Sequence, residues 1–324
     1  MAPLHRRRVL AALPAAPFLA PRGLQAQGSW PQRPVRLLVP YAPGGGTDIF
    51  ARSIAEGLSQ VLGHNVLVEN RPGANGSIGS EVVARAEPDG YLLLVDTGSH
   101  VMNTYVMSLP YRPLRDFAPV SLLSRYPLLL TASAATPFRD VAGLVAAAKA
   151  APRSIGFGTS DAAISYAGNL FTRLAGIEMV EVPYRGAAPI LNDLVAGHLP
   201  TGWNSTVAAT QHLAAGRIRA LGVTTTARTP LLPEVPTLAE AGVAGYDFAG
   251  WYAMLGPAAL PAPIAARMHE AVVQALQLPR VRERLAAIGA DLGVLNPAEL
   301  AAFLREDDAR WAQASRDGLI TRAQ

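Results

Sequence analysis

Short apolar runs alternate with helical stripes along most of this chain, and that alternation leaves few folds open. "VRLLVP", from Val35, has the length and composition of a strand. A stripe of Phe50, Ile54, Leu58, Val61 and Leu62 comes next, predicting a helix over Ile49 to Leu62 that Gly63 closes. "NVLVEN" is a second strand, Ser80 to Ala86 a short helix, and "YLLLVD" a third strand. The rhythm returns in the middle of the chain. "APVSLLSRYPLLLTAS" is a long strand region that Pro127 should break. Helices are expected over 141–150, 162–175 and 190–196, between the strands "SIGFGTS", "MVEVPY" and "RIRALGVTT". Strand, helix, strand repeated in this way predicts parallel-rich sheets flanked by helices. At 324 residues the chain exceeds one ordinary core, so two lobes are expected. Ligands of open parallel sheets bind at the carboxyl ends of the strands, and two such lobes facing each other make a cleft.

The last part is helical. Pro263 to Gln277 carries Ile264, Met268, Val272 and Leu276 on one side, and Asn296-Pro297-Ala298-Glu299 has the cap, proline and glutamate of a helix start. Thr237-Leu238-Ala239-Glu240 is a capping box that should open a short helix stopped by Gly242.

The first residues read as an export signal, expected over 1–26. "HRRR" is basic, "VLAALPAAPFLA" is apolar but too short to span a bilayer, and Ala26 in "LQAQ" suits cleavage. Arg6 to Leu10 also suits the twin-arginine route. The formal charge of +4 is matched by Arg6, Arg7, Arg8 and Arg22, so the remainder is balanced. A balanced chain has no field for gathering nucleic acid and no polybasic membrane patch. No later segment has eighteen uninterrupted apolar residues, so the mature protein is expected outside the bilayer, in the periplasm. The absence of cysteine excludes disulfides and thiolate metal sites.

"VPYAPGGGTDIF" places three glycines between a strand and a helix. Glycines let a backbone approach a ligand, and the helix behind them carries unpaired N–H groups with about half a positive charge. That is an anion site. A Walker loop is excluded, because the only lysine, Lys149, sits between alanines. The dinucleotide fingerprint fails at Ile49, where it needs a third glycine. What remains suits a carboxylate, unless the loop is simply a tight turn. "FGTSDAAISYAG" again sets small and hydroxyl residues at a helix mouth. Thr159 and Ser160 can donate to a ligand, or Thr159, Ser160 or Asp161 can simply cap the helix. His100 sits at a strand end with no partner carboxylate evident by spacing, and reads as lining or capping. Asp48 suits the head of a helix better than a metal. His64, His198, His212 and His269 lack metal-ligand spacing, and no Gly-x-Ser-x-Gly elbow occurs. No cofactor is expected. Trp203, Trp251 and Tyr252 are candidates to shape a pocket or bridge the lobes; Trp311 reads as packing.

Six ordered segments, among them "WPQRPVRLLVPYAPGGGTDIFARSIAEGL", "VLVENRPGANGSIGSEVVARAEPDGYLLL", "VPYRGAAPILNDLVAG" and "IRALGVTTTARTPLLPEVPTLAEAG", resemble the Bug family. These are the TctC-like extracytoplasmic receptors of tripartite tricarboxylate transporters. The resemblance runs from about Trp30 to the C-terminus. It implies an α/β, two-lobed periplasmic binding protein of type II that closes on a small carboxylate. It also implies that two loops grip the carboxylate, here Tyr41, Ala42, Pro43, Gly44, Gly45, Gly46, Thr47 and Asp48, and Gly158, Thr159, Ser160 and Ala162. Thr97, Ser99 and His100, the turn with Tyr184 and Gly186, and Asn204 should line the same cleft. The lobes are expected as 27–125 with 250–324, and 126–249, hinged near Ser121 to Tyr126 and Ala249 to Tyr252. The implied partners are inner-membrane transporter subunits or a sensor, with the receptor itself a monomer.

One stretch departs from the family pattern. His198 to Ser205 reads "HLPTGWNS", with Pro200, Trp203 and Asn204 where the family usually has Asp, Phe and often Asp. The lost acids remove a counter-charge for a ligand amino group, which argues against amino-acid ligands. The proline should demote this strand towards an edge or bulge. Two other readings stay open: an exported hydrolase or isomerase using Asp48 or His100, and the effector-sensing half of a regulator.

Overall fold

With Val35, Leu37, Leu38 and Val39 all buried, the first apolar run can only be an inner strand, β1 (Val35–Val39). The computed structural model that places it describes residues 30–287, 290 and 292–320; the expected export signal lies outside the described residues. All of its strands and helices belong to one compact unit that begins at Pro31. From the glycine loop runs α1 (Gly46–Leu62), which buries Phe50, Ile54, Leu58 and Leu62 and ends on Gly63 in the left-handed conformation. β2 (Val66–Asn70), α2 (Ser77–Ala84), β3 (Leu92–Thr97) and α3 (Ser99–Val106) succeed it. Then comes β4 (Phe117–Ser133), the longest strand at 17 residues. After it alternate α4 (Val141–Ala150), β5 (Gly156–Thr159), α5 (Ala162–Ala175), β6 (Val180–Pro183), α6 (Ala187–Ala196), β7 (Thr201–Ser205), α7 (Thr206–Ala214) and β8 (Ile218–Val223). The chain returns through β9 (Ala249–Pro257) and closes with α8 (Ala262–Gln277), α9 (Pro279–Ala287) and α10 (Pro297–Arg316).

The strands lie in the order β2-β1-β3-β9-β4-β7-β5-β6, with β8 also on β4. β1, β2 and β3 are parallel, as are β5, β6 and β7; the pairs that β9 and β4 make are antiparallel. Two parallel-rich halves therefore meet through an antiparallel centre. β4 belongs to both: residues 117–127 pair with β9, and residues 128–133 with β7 and β8. Pro127 does not break it, contrary to expectation. It sits at the changeover, opposite Ala249, where one set of partners ends and the next begins, so its missing N–H interrupts neither ladder.

Each half has its own core. In the first, α1 packs on α8 and α9, tightly enough that a methyl on Gly57 would meet Val281 and Ala275. In the second, Leu129, Ile190, Leu191, Leu194, Ile218 and Val223 form a buried cluster. α10 lies on α3 and β4.

Two further expectations fail for local reasons. Pro200 stands just before β7 and not within it, and β7 is an interior strand, fully buried between β4 and β5. The Thr237–Glu240 box forms both of its hydrogen bonds, Thr237 N–H to Glu240 at 2.9 Å and Glu240 N–H to the Thr237 hydroxyl at 3.0 Å. It closes only one turn, because Gly242 takes φ 99° directly after it. α2 starts at Ser77, and α3, α7, α9 and β9 were not anticipated by periodicity.

Candidate functional site

Five strand ends deliver residues to one cavity. The β1–α1 loop supplies Tyr41, Ala42, Gly45, Gly46 and Thr47, and β3 supplies Thr97. Ser160 and Asp161 come from the β5–α5 turn, Gly186 and Ala187 from the start of α6, and Asn204 and Ser205 from the end of β7. Tyr126 of β4, Ile164, Trp203 and Tyr252 of β9 complete it, and none of its lining residues is lysine, arginine or histidine. The cavity holds about 40 Å³, room for little more than a water or two, so the two halves are closed upon each other. The Ser99 hydroxyl of one half donates to Asp161 of the other at 2.8 Å, and a methyl on Gly186 would lie 3.3 Å from the Ala42 Cβ.

The glycine loop is built to leave amides free. Gly44 adopts φ 82°, a left-handed conformation that glycine takes without strain. That turn sends its N–H to the Asp48 carboxylate at 2.9 Å, which also accepts from Arg52 Nε at 3.0 Å and Asn70 Nδ2 at 2.9 Å. Burial pushes the Asp48 carboxyl up, but the Arg52, Gly44 and Asn70 donors outweigh it and hold it below the usual carboxylate range. Asp48 therefore clasps the loop from behind and does not line the cavity, and Pro43 and Gly44 do not line it either. No side chain caps α1, and Gly46 and Thr47 of its first turn face the cavity. α6 matches it: Gly186 precedes it with no side-chain cap, and Ala187 of its first turn also lines the cavity. Two uncapped helix N-termini, one from each half, thus border the same space, each carrying a partial positive charge. At Gly46 a methyl would collide with the Ser205 side chain of the other half and with the Tyr252 hydroxyl, so closure with these side chains in place requires glycine there.

The second loop follows the capping alternative. Asp161 caps α5, its Oδ1 accepting from Ala163 N and Ile164 N at 3.0 Å each and from Ser99 Oγ at 2.8 Å. The amides of Ala163 and Ile164 at the head of α5 thus already have an acceptor, and the loop presents a carboxylate to the cavity. Burial pushes the Asp161 carboxyl up, more than the Ile164, Ser99 and Ala163 donors lower it, and the charge of Asp96 adds to the rise. Thr159, Ala162 and Tyr184 lie outside the shut cavity. They line an adjoining one of about 350 Å³ with Ser160, Asp161, Ser165, Asn169, Glu181 and Asn75. The Thr159 hydroxyl donates to Glu181 at 2.8 Å, and that of Tyr184 to Asp193 at 2.7 Å. Gly158 lies beneath Leu199 and Ile190, where its role is close packing.

His100 is a correction too. It is buried behind β3, its ring packed between Tyr111 and Phe117, and it lines no part of the cavity. It does have a partner carboxylate, Asp96, whose Oδ2 lies 3.1 Å from Nδ1. The spacing of four was legible, but it joins a strand end to the following helix. Asp96 also accepts from Ser80 Oγ, the Tyr41 hydroxyl and Thr97 N, and so fixes Tyr41 against the cavity. Burial and the Asp96 charge push the Tyr41 hydroxyl well above its usual value. Tyr126 and Tyr252 stack with ring centroids 4.3 Å apart, and the Tyr252 hydroxyl bonds both Tyr126 and Ser205. Sequence reasoning passed over Tyr126, Asp161, Ile164, Ala187 and Ser205 as lining residues; Asp161, Ala187 and Ser205 flank a strand or helix end, whereas Tyr126 lies within β4 and Ile164 within α5. Among the described residues, no group of three or more acidic or histidine side chains is arranged to hold a metal ion. No described helix is long and apolar enough to cross a membrane.

Comparison with known proteins gives a consistent result. The model of the tripartite tricarboxylate transporter family receptor, TctC, matches residues 50–317. A Pseudomonas sp. (strain P51) protein encoded between tcbD and tcbE is 37% identical over 96% of this chain and 94% of its own length. The Rhodopseudomonas palustris protein Rpa4515, solved with adipate, superposes with a TM-score of 0.87 at 35% identity, covering 91% of this chain and 100% of that one. MatC from the same organism, solved with bound malate, gives 0.82 at 31% identity, covering 88% of this chain and 100% of that one.

Proposed function

This chain belongs to the TctC family of tripartite tricarboxylate transporter receptors, periplasmic solute-binding proteins and not enzymes, and from that premise we propose that it captures a small organic acid in the cavity where the five strand ends meet. The observation that carries the reading is the pair of uncapped helix N-termini, α1 and α6, bordering one cavity without a basic side chain. A carboxylate between them receives main-chain N–H donors from both halves at once. Adipate and malate in the related structures support the size and charge class.

The carboxylate bridges the lobes, so it favours closure. We place the lobes at 27–125 with 250–324, and at 126–249, with β4 and β9 flexing where they cross. Turning a mostly open population into a mostly closed one takes about 5.5 kcal/mol of differential affinity. The closed monomer then presents its joined face to membrane transporter subunits or a sensor, after export directed by residues 1–26. An acid–base enzyme in the same cleft finds no support, since Asp48 and His100 both face away from the cavity.

The test is mass spectrometry of ligand released from protein purified without denaturation, followed by thermal-shift titration of the ligand-free protein with small acids. A carboxylate should be recovered and should stabilise the wild type, whereas Gly46→Ala should fold and show no shift. Equal stabilisation of that variant overturns the site.

A further inference from the structure

We propose that Asp161 and Asn204 form a second subsite in the same cavity, for an ammonium group, so that the solute is an amino acid and not a simple diacid. This rests on the carboxylate reading above and names the solute class.

The two residues offer spare acceptor capacity: one oxygen held only by a long hydrogen bond and one with no partner. Asp161 borders both the shut cavity and the adjoining one of about 350 Å³. Its Oδ1 takes three donors, but Oδ2 has only the Ser160 hydroxyl at 3.4 Å, long for a hydroxyl bonding a carboxylate. No lysine, arginine or histidine lines either cavity. Asn204 is an independent observation. It is fully buried, and its Nδ2 donates to Thr131 Oγ1 at 2.9 Å. The Thr131 hydroxyl donates its single proton to the Gly202 carbonyl at 2.7 Å, so towards Asn204 it can only accept. The amide orientation is thereby fixed. Its Oδ1 is a buried acceptor without a partner, in a residue that lines the cavity.

The cavity therefore has donors on one side and acceptors on the other. A diacid satisfies the helix ends but brings a second negative group towards Asp161. A hydroxyl offers one proton and no charge. An ammonium offers three protons and a positive charge, enough for Asp161 Oδ2 and Asn204 Oδ1 together. The rest of the solute extends past Ser160 and Asp161 into the adjoining cavity, whose lining includes Ser165, Asn169 and Asn75. The counter-charge lost at Asn204 on β7 is thus restored from the neighbouring strand, at the head of α5.

Calorimetric titration of the purified, ligand-free protein with matched pairs tests this: L-aspartate with succinate, L-glutamate with glutarate, L-alanine with propionate, with malate and adipate as amine-free acids. At least one amino acid should bind at least about tenfold tighter than its amine-free partner. Asp161→Asn, which can still cap α5, should weaken that amino acid by about 30-fold or more and leave the amine-free partner unchanged or tighter. Tighter binding of the amine-free member in every pair overturns the proposal but leaves the carboxylate reading standing. An amino acid that binds Asp161→Asn as well as wild type overturns the assignment to Asp161. Failure of every acid to bind overturns both readings.

Discussion

Two aspartates head the two loops of the site, and their environments push them in opposite directions. Asp48 is held below its ordinary value by Arg52, Gly44 and Asn70 against its burial, and Asp161 is raised by burial and by Asp96. A lowered carboxyl stabilises the fold above its unfolded value and loses that contribution as pH falls through the folded value. A raised one does the reverse: the folded state holds its proton more tightly, so stability drops as pH rises from the ordinary 3.8 through the folded value. Asp48→Asn should therefore lower the melting temperature at pH 7, by the equivalent of about 1–3 kcal/mol for the donors left without a charged acceptor, with the difference shrinking in acid. Asp161→Asn should raise the melting temperature of the ligand-free protein at pH 7 and match wild type near pH 3. Melting curves across that range check both signs. Both could be read as helix-start residues, but not which of them faces the cavity, because an aspartate at a helix start reads the same whether it faces protein or solute.

At the scale of elements, what could be read was what local pattern dictates. α1, α4, α5 and α10 lie where stripe and cap placed them, and the Asn296 capping box of α10 forms in full. α7 escaped notice because "TVAATQHLA" has no apolar stripe; the Ser205 side chain caps it. β9 escaped because "AGWYAMLGP" owes its state to distant pairing with β3 and β4 on either side. That the glycine loop would line a cavity was legible, since strand, glycines and helix are contiguous. Ser205 and Asn204 reach it only through sheet order. α10 ties these parts together through Trp311, whose indole donates to Asp307 at 2.8 Å and whose ring meets Tyr166 of α5 and Phe248. Trp251 of β9 donates to the same carboxylate at 3.3 Å. Trp311→Ala should cost about 3–5 kcal/mol, read from urea unfolding, because it empties a fully buried site and removes one of the donors to Asp307.

For the whole molecule, closure can be trapped. The chain has no cysteine, and a Cβ on Gly186 would stand 3.3 Å from that of Ala42, close to the spacing of a disulfide. Gly186 is extended at φ 163°, so cysteine fits there. The double variant Ala42→Cys/Gly186→Cys should form an internal cross-link on oxidation and keep its solute through dialysis that empties the reduced protein. Non-reducing electrophoresis and assay of retained solute check this; a cross-link that leaves release unchanged would show that the solute does not depart through this gap. The long strand β4 has another implication. Its first eleven residues are stitched into one half and its last six into the other. No single cut yields two self-sufficient fragments, because either piece would carry away half of its neighbour's framework. The receptor has to be made, exported and degraded as one indivisible object.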